Sequence, residues 1–146
     1  MKIRDEVELC FPSDFKFLGA VDAVIQDLAR EFSFTPKCID DISTALIEAC
    51  TNAIAHGNKF AEDKRVRVAI KFVDGVITTE VCDEGSGFDF RNHLENINPP
   101  DALSVQGRGI IIMTAFSDAL KFHFEPDKGL SVEMTKSRSK CNEKDG

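Results

Sequence analysis

The chain has 146 residues and a formal net charge of −7, enough for one domain with a single core. This acidic balance argues against a protein that coats nucleic acid or an anionic membrane through general electrostatics. The charged start MKIRDEVELC does not fit a signal peptide, and no apolar run approaches the length of about 18 residues that a membrane span needs. We therefore expect a cytoplasmic protein that binds neither membrane nor nucleic acid directly.

The cysteines and histidines form no metal-binding pattern. The five cysteines are odd in number and include no CxxC pair: Cys10, Cys38, Cys50, Cys82 and Cys141. His56, His93 and His123 are equally scattered along the chain. We expect free buried thiols here, with metal binding as a minor alternative.

The first predicted elements are a strand and a helix. Residues 3–11 alternate loosely between apolar and charged side chains and end at Pro12, which is typical of a strand. Ser13 or Asp14 can cap the helix that follows. Its apolar residues share one face: Phe17, Leu18, Val21, Val24, Ile25 and Leu28.

The stretch TPKCIDDISTALIEACTNAIAHGNK, residues 35–59, predicts the central helix. Its apolar residues recur at steps of three and four: Ile39, Ile42, Leu46, Ala49 and Ala53. Thr35 can cap the first turn, and Pro36 suits the first helical position. Gly57 and Asn58 suit a left-handed exit at the other end.

Glu48 and Asn52 lie one turn apart on the same side of this central helix. The residues around them are small: Ala49, Ala53 and Ala55. An acid and an amide in such surroundings leave space above the helix, which another part of the chain must fill.

Residues 65–73 and 76–82 alternate with period two and are joined at Asp74-Gly75, a strong hairpin signal. Directly after the second strand the sequence reads DEGSGF, residues 83–88. The two glycines of this run leave room for a ligand to approach the backbone closely.

A polar segment without a clear period covers residues 89–106. A loop of this length in a compact domain is usually a lid or a binding segment. It leads into Gly107, Arg108 and Gly109, which we expect to open a helix. The remaining predicted elements are a helix, two strands and a disordered tail, over residues 110–116, 119–124, 130–136 and 137–146.

The order of these elements predicts an α+β fold. Strands at both ends and in the middle of the chain, with helices between them, indicate a two-layer sandwich. We expect a mixed sheet that is covered on one face by helices.

Three of these features together suit a nucleotide: the acid and amide of the central helix, the glycine-containing run after the strand, and the glycine pair that we expect to open a helix. Glycines allow close backbone approach and the N–H groups at a helix start favour an anion, so we expect a polyphosphate at Gly107 to Gly109. Asn52 can ligate a hard cation through its amide oxygen. Such a cation is often held by one or two protein oxygens together with phosphate oxygens and water.

The sequence resembles the GHKL, or Bergerat, ATP-binding superfamily, and within it the small bacterial anti-sigma factor serine kinases of sporulation and general stress response. EACTNAIAHGN, residues 48–58, is similar to the N box of that superfamily. DEGSGF and GRGI, residues 83–88 and 107–110, are similar to its two glycine boxes. The resemblance implies a histidine-kinase-like ATPase domain with a Bergerat fold over residues 1–136.

The resemblance also implies a role for each site residue. Asp83 would accept the adenine amino group, while Gly85 and Gly87 would let the base and ribose lie against the loop. Asn52 would hold Mg2+, and Arg108 would meet the terminal phosphate or a partner. The residues implied in ATP or ADP binding are Asn52, Asp83, Gly85, Gly87, Phe88, Gly107, Arg108, Gly109 and Ile110.

Glu48 is the catalytic candidate, because a serine hydroxyl must lose its proton as it attacks phosphorus. A histidine acceptor needs no such base, whereas relatives that hydrolyse ATP use a Glu here to activate water. We expect the chain to lack the further domain of gyrase-like ATPases and the helical dimerisation segment of histidine kinases.

The resemblance therefore implies a serine-protein kinase and anti-sigma factor that forms a homodimer, binds a sigma factor and phosphorylates an anti-anti-sigma (STAS-type) protein. Two alternatives stay open: a nucleotide-gated binding module without kinase activity, and a simple ATPase. One departure concerns Leu130, which stands where family members often have Thr near the adenine-binding Asp. Ser131 is predicted to point to the other face of the last strand.

Overall fold

The computed structural model describes residues 4–85, 105–125 and 128–145. Within these ranges the strands are β1 (Arg4–Pro12), β2 (Arg65–Val73), β3 (Val76–Cys82), β4 (Ala119–Glu125) and β5 (Gly129–Ser137). The α-helices are α1 (Leu18–Glu31), α2 (Pro36–Asn52), α3 (Val105–Ala115) and α4 (Arg138–Asp145). None of the helices among the described residues is long and apolar enough to cross a membrane.

The strands form one sheet in the order β1-β2-β3-β5-β4. Every described pairing is antiparallel, so the α+β class is confirmed but the mixed sheet is wrong. The order of elements places a helix between β3 and β4, which suggests a parallel crossover. In the structure β5 inserts between these two strands and pairs antiparallel with both.

The core lies between the helices and one face of the sheet. Residues of β3 alternate between buried and partly exposed positions, as expected for a strand with one covered face. The buried cluster joins Val68 of β2 and Val81 of β3 to Ile25 of α1 and Leu46 of α2. This packing fixes α2, which carries the candidate acid and amide, against the sheet.

Helix α2 begins as predicted and ends differently. The Thr35 side chain accepts a hydrogen bond from the Cys38 N–H at 3.3 Å, and Pro36 occupies the first helical turn. After Asn52 the helix widens into a π-helical turn over Ala53–Gly57.

The left-handed exit predicted at Gly57 and Asn58 is wrong. Asn58 has a φ of −88°, and the left-handed residues are Lys59 and Phe60, with φ of 52° and 58°. Because the π-helical turn extends the helix, the chain reaches the left-handed conformation two residues later than predicted. Gly57 and Asn58 instead contact the loop after β3, as described below.

Two boundaries near the candidate site and the C-terminus also differ from expectation. Helix α3 begins at Val105, so Gly107 and Gly109 lie within its first turns instead of preceding them. Strand β5 continues to Ser137, and α4 follows where a disordered tail was expected from residue 137. This C-terminal helix is covalently linked to α2.

Cys38 at the start of α2 and Cys141 in α4 form a disulfide, with Cα atoms 5.9 Å apart and 103 residues of sequence separation. The expectation of free thiols is therefore wrong for this pair, because only the fold brings the chain end beside α2. Cys50 is a buried free thiol, as expected, and its burial raises its pKa to about 12. Cys10 is exposed and Cys82 is partly exposed.

We expect reduction of the Cys38–Cys141 disulfide to lower the free energy of unfolding by about 2–5 kcal/mol, because the bond closes a long loop. Chemical denaturation with and without a phosphine reductant measures the change. Cys141→Ser is the control, since the reductant should not alter its stability. Alkylation of the denatured, unreduced protein should modify three of the five cysteines, and modification of all five would contradict the assignment.

Candidate active site

Glu48 and Asn52 of α2 lie under Gly109 of α3. A β-carbon built on Gly109 would lie 3.0 Å from Asn52 Nδ2 and 3.3 Å from Glu48 Oε2. Both distances are close for a real side-chain contact, so a larger residue at position 109 would press on the acid and the amide. The space above α2 is therefore covered by glycine backbone, and the fold brings the N-box residues and the second glycine pair together.

The Asn52 side chain is suited to a ligand. Its Nδ2 atom is buried and has no hydrogen-bond partner among the residues that the structure describes. Leaving such a buried amide group unsatisfied costs about 1–3 kcal/mol. A half-turn of the carboxamide presents its oxygen in the same place. As it stands, the Nδ2 donor suits an acceptor such as a phosphate oxygen, and the turned carboxamide would instead offer its oxygen to a hard cation.

Asp83 follows β3 and is buried, with 5% of its surface exposed. Its Oδ1 accepts hydrogen bonds from the Gly85 N–H at 2.9 Å and the Leu130 N–H at 3.1 Å. The Asp83 N–H donates to the Leu130 carbonyl at 2.9 Å. Burial raises the pKa of the Asp83 carboxyl, and the two N–H bonds to Oδ1 oppose that rise. The carboxylate is therefore held in one orientation at the end of the sheet.

Three glycines surround Asp83 at distances that exclude a side chain. A β-carbon on Gly57 would overlap the Asp83 carboxylate, and one on Gly85 would overlap the Gly57 carbonyl oxygen. Gly129 has a φ of +115°, and its β-carbon would overlap the Asp83 carbonyl oxygen. The loop after β3 therefore packs backbone to backbone against the end of α2. Sequence reasoning missed this use of Gly57, although its place near the end of the N box was a signal.

Asn58 was also missed as a residue of the site. Its side chain is 1% exposed, and its Oδ1 accepts a hydrogen bond from the Glu84 N–H at 2.7 Å. Its Nδ2 donates to Ser13 Oγ at 2.9 Å and to the Arg65 carbonyl at 3.0 Å. Asn58 thus ties the end of α2 to the Asp83 loop and to the first two strands.

The structure describes some of the predicted site residues only in part and others not at all. Gly87, Phe88 and residues 89–104 of the predicted lid lie outside the described residues. The last two residues of the predicted lid, Val105 and Gln106, belong to α3. Gly107 and Arg108 have a helical backbone in α3. Ile110 packs against the core. The proposed roles of these residues stay predictions.

The last strand has the predicted alternation. Leu130 is buried on the helix-covered side, and its backbone contacts Asp83. Ser131 is partly exposed and paired opposite Cys82, on the other face of the sheet. The face predicted for Ser131 is confirmed, so no hydroxyl from position 130 or 131 stands beside the Asp83 carboxylate.

This arrangement of an acid, an amide, a fixed buried carboxylate and closely packed glycine backbone is the kind of site expected in a nucleotide-binding protein. The chain belongs to the family described as the histidine kinase-like ATPase domain, whose model matches residues 11–136. This match confirms the predicted family. Membership of an ATPase family implies that the chain binds ATP.

Three individual proteins show what this chain is similar to within and beyond that family. Serine-protein kinase RsbW of Bacillus subtilis strain 168 is 31% identical over 140 residues, which cover 90% of this chain and 85% of that protein. An anti-sigma F factor of Clostridium botulinum strain Eklund 17B is 37% identical over 101 residues, which cover 67% of this chain and 70% of that protein. A chain in the crystal structure of the SiaB-SiaC complex from Pseudomonas aeruginosa has a TM-score of 0.73 at 13% identity, covering 89% of this chain and 88% of that one. At this identity the structural match shows a shared fold alone.

Proposed function

We propose that this protein is a cytoplasmic, ATP-dependent serine-protein kinase and anti-sigma factor. It binds a sigma factor and phosphorylates an anti-anti-sigma (STAS-type) protein on Ser or Thr. The observation that carries the proposal is the position of Gly109 over Glu48 and Asn52, which brings the proposed base and the proposed metal ligand close to the N-terminal turns of α3, where we propose that the phosphates bind. The relatives support the two partner classes, since one is a serine-protein kinase, which acts on a protein, and another is an anti-sigma factor.

In this proposal Asp83 recognises the adenine base through a hydrogen bond. Two backbone N–H groups hold its Oδ1, so the orientation of the carboxylate is set before a nucleotide binds. A buried carboxylate is a strong acceptor for the adenine amino group. The close glycine packing around it, at Gly57 and Gly85, keeps side chains away from the plane of the base.

The phosphates lie at the start of α3. The unpaired N–H groups and the dipole of a helix N-terminus both favour an anion. Asn52 is the residue that would hold Mg2+ through its amide oxygen, because a half-turn of the carboxamide would place that oxygen where Nδ2 has no partner among the described residues. Among the described residues no group of three or more His, Cys, Asp or Glu forms a metal site. When bound, the metal ion offsets the negative charge of the transferring phosphoryl group.

Glu48 acts as the general base. The hydroxyl oxygen of the substrate Ser or Thr forms the new bond to the γ-phosphorus, and the bond from that phosphorus to the bridging oxygen of ADP breaks. The hydroxyl proton passes to the Glu48 carboxylate, and ADP leaves with the bond electrons. Glu48 is partly exposed, so a hydroxyl from a second protein can reach it.

Phosphate transfer to candidate partners tests the proposal. The protein is incubated with radiolabelled ATP, Mg2+ and purified anti-anti-sigma proteins, with and without a sigma factor. We expect label on a Ser or Thr of one such protein, and co-elution of the kinase with a sigma factor as a homodimer in size-exclusion chromatography with light scattering. Phosphate release that needs no partner would instead support a simple ATPase, and tight ATP binding without turnover would support a nucleotide-gated module.

A further inference from the structure

Asn58 lies at the junction of four chain segments. Its backbone N–H donates to the Ala53 carbonyl at 2.8 Å, and its carbonyl accepts from the Ala61 N–H at 3.0 Å. Ser13, which accepts from the Asn58 side chain, donates its own hydroxyl proton to the Lys64 carbonyl at 2.6 Å. The Asn58 carboxamide is therefore anchored on its donor side and cannot turn away without leaving buried polar groups unpaired.

The acceptor side of this carboxamide holds the loop that carries Asp83. The Glu84 N–H that donates to Asn58 Oδ1 belongs to the peptide between Asp83 and Glu84. The Glu84 side chain is fixed as well, because its Oε1 accepts from the Arg65 N–H at 2.7 Å. The direction of the Asp83 carboxylate depends on this peptide, since its Oδ1 bonds the next N–H along the same loop, that of Gly85.

We propose that Asn58 is a positioning residue for base specificity. Through Glu84 it holds the Asp83 loop in the orientation in which the carboxylate accepts the 6-amino group of adenine. This inference rests on the proposed role of Asp83 in binding the base. Without Oδ1 of Asn58, the Glu84 N–H loses its buried partner and the loop turns to find another. The site then discriminates less between a purine with an amino group at position 6 and one with a carbonyl there.

Binding of ATP and of inosine triphosphate separates positioning from a merely structural role. Isothermal titration calorimetry gives the ratio of the two dissociation constants for wild type, Asn58→Ala and Asn58→Leu. Leucine keeps the volume of asparagine and lacks the acceptor, so it serves where alanine prevents folding. We expect both variants to lower the ratio of the dissociation constant for inosine triphosphate to that for ATP by about tenfold or more. This is the effect of losing one well-aligned hydrogen bond between the adenine amino group and the charged Asp83 carboxylate.

Ser13→Ala is the matched control. It removes two hydrogen bonds of the same network and leaves the bond from Glu84 to Asn58 in place, so it should lower stability without changing the ratio. The inference is overturned if Asn58→Leu weakens ATP and inosine triphosphate equally, or if Ser13→Ala shifts the ratio as much. A wild type that binds neither nucleotide, or both equally, overturns the proposed function of the site instead.

Discussion

Glu48→Gln is expected to slow phosphate transfer to a protein acceptor by about a hundredfold to ten-thousandfold, the usual effect of removing a general base. Glutamine keeps the size of the side chain under Gly109 and cannot accept a proton. Affinity for ATP should change little, because in the proposed site Glu48 acts on the acceptor hydroxyl and not on the nucleotide. Initial rates at saturating ATP, with calorimetric binding of ATP to the same preparations, measure the two effects.

Asp40→Asn is the matched control for this experiment. Asp40 lies on the same helix as Glu48, is exposed, and its replacement removes the same charge. Its transfer rate should equal that of wild type. Equal rates for Glu48→Gln and wild type would exclude Glu48 as the base, and equal losses in both variants would show that charge on α2 matters instead of proton transfer.

Asp83→Asn is expected to weaken ATP binding by about 10- to 100-fold without lowering stability at neutral pH. The loss of affinity follows from replacing a charged acceptor for the adenine amino group by a neutral amide. Stability should be kept because the amide oxygen still accepts from the Gly85 and Leu130 N–H groups that now bond Oδ1. The variant also removes a charge whose burial is unfavourable.

The difference in stability between Asp83→Asn and wild type should depend on pH, and the pKa of the Asp83 carboxyl sets the direction of that change. Burial raises the pKa of the Asp83 carboxyl above its value of about 3.9 in the unfolded chain. The folded state therefore holds this proton more tightly, and the stability that results is present below pH 4 and is lost as pH rises through the folded pKa. Asp83→Asn has no such titration, so its stability relative to wild type should increase across this window.

Denaturant unfolding of both proteins between about pH 3 and pH 7 measures that difference. Asp63→Asn, a change at an exposed carboxyl, is the control and should show no comparable trend. A variant at Asp83 that is less stable than wild type at every pH, or that binds ATP with unchanged affinity, would contradict the assignment of this carboxylate.

Local patterns predicted most of the secondary structure. The hairpin between β2 and β3 is confirmed at each boundary, with Asp74 and Gly75 at φ of 51° and 81°. The cap and proline at the start of α2 are confirmed in the same way. These features depend on residues within a few positions of one another, so the sequence displays them directly.

Long-range contacts were not predictable in this way. Lys136 is buried near the end of β5, with its Nζ 3.8 Å from an Asp41 oxygen and 4.0 Å from an Asp118 oxygen. Its place in the sequence, next to a charged tail, favours an exposed side chain. Its burial follows from the insertion of β5 beside β3, which no local pattern specifies.

By itself the sequence determined the family, the ATP-binding class and the three motifs that carry the candidate chemistry, because each motif is a run of neighbouring residues. Only the tertiary structure decided that Gly109 covers Glu48 and Asn52, that Asn58 supports the Asp83 loop, and that α4 is linked to α2. These contacts join distant parts of the chain, and they depend on how the helices pack on the sheet and not on any periodicity within one element.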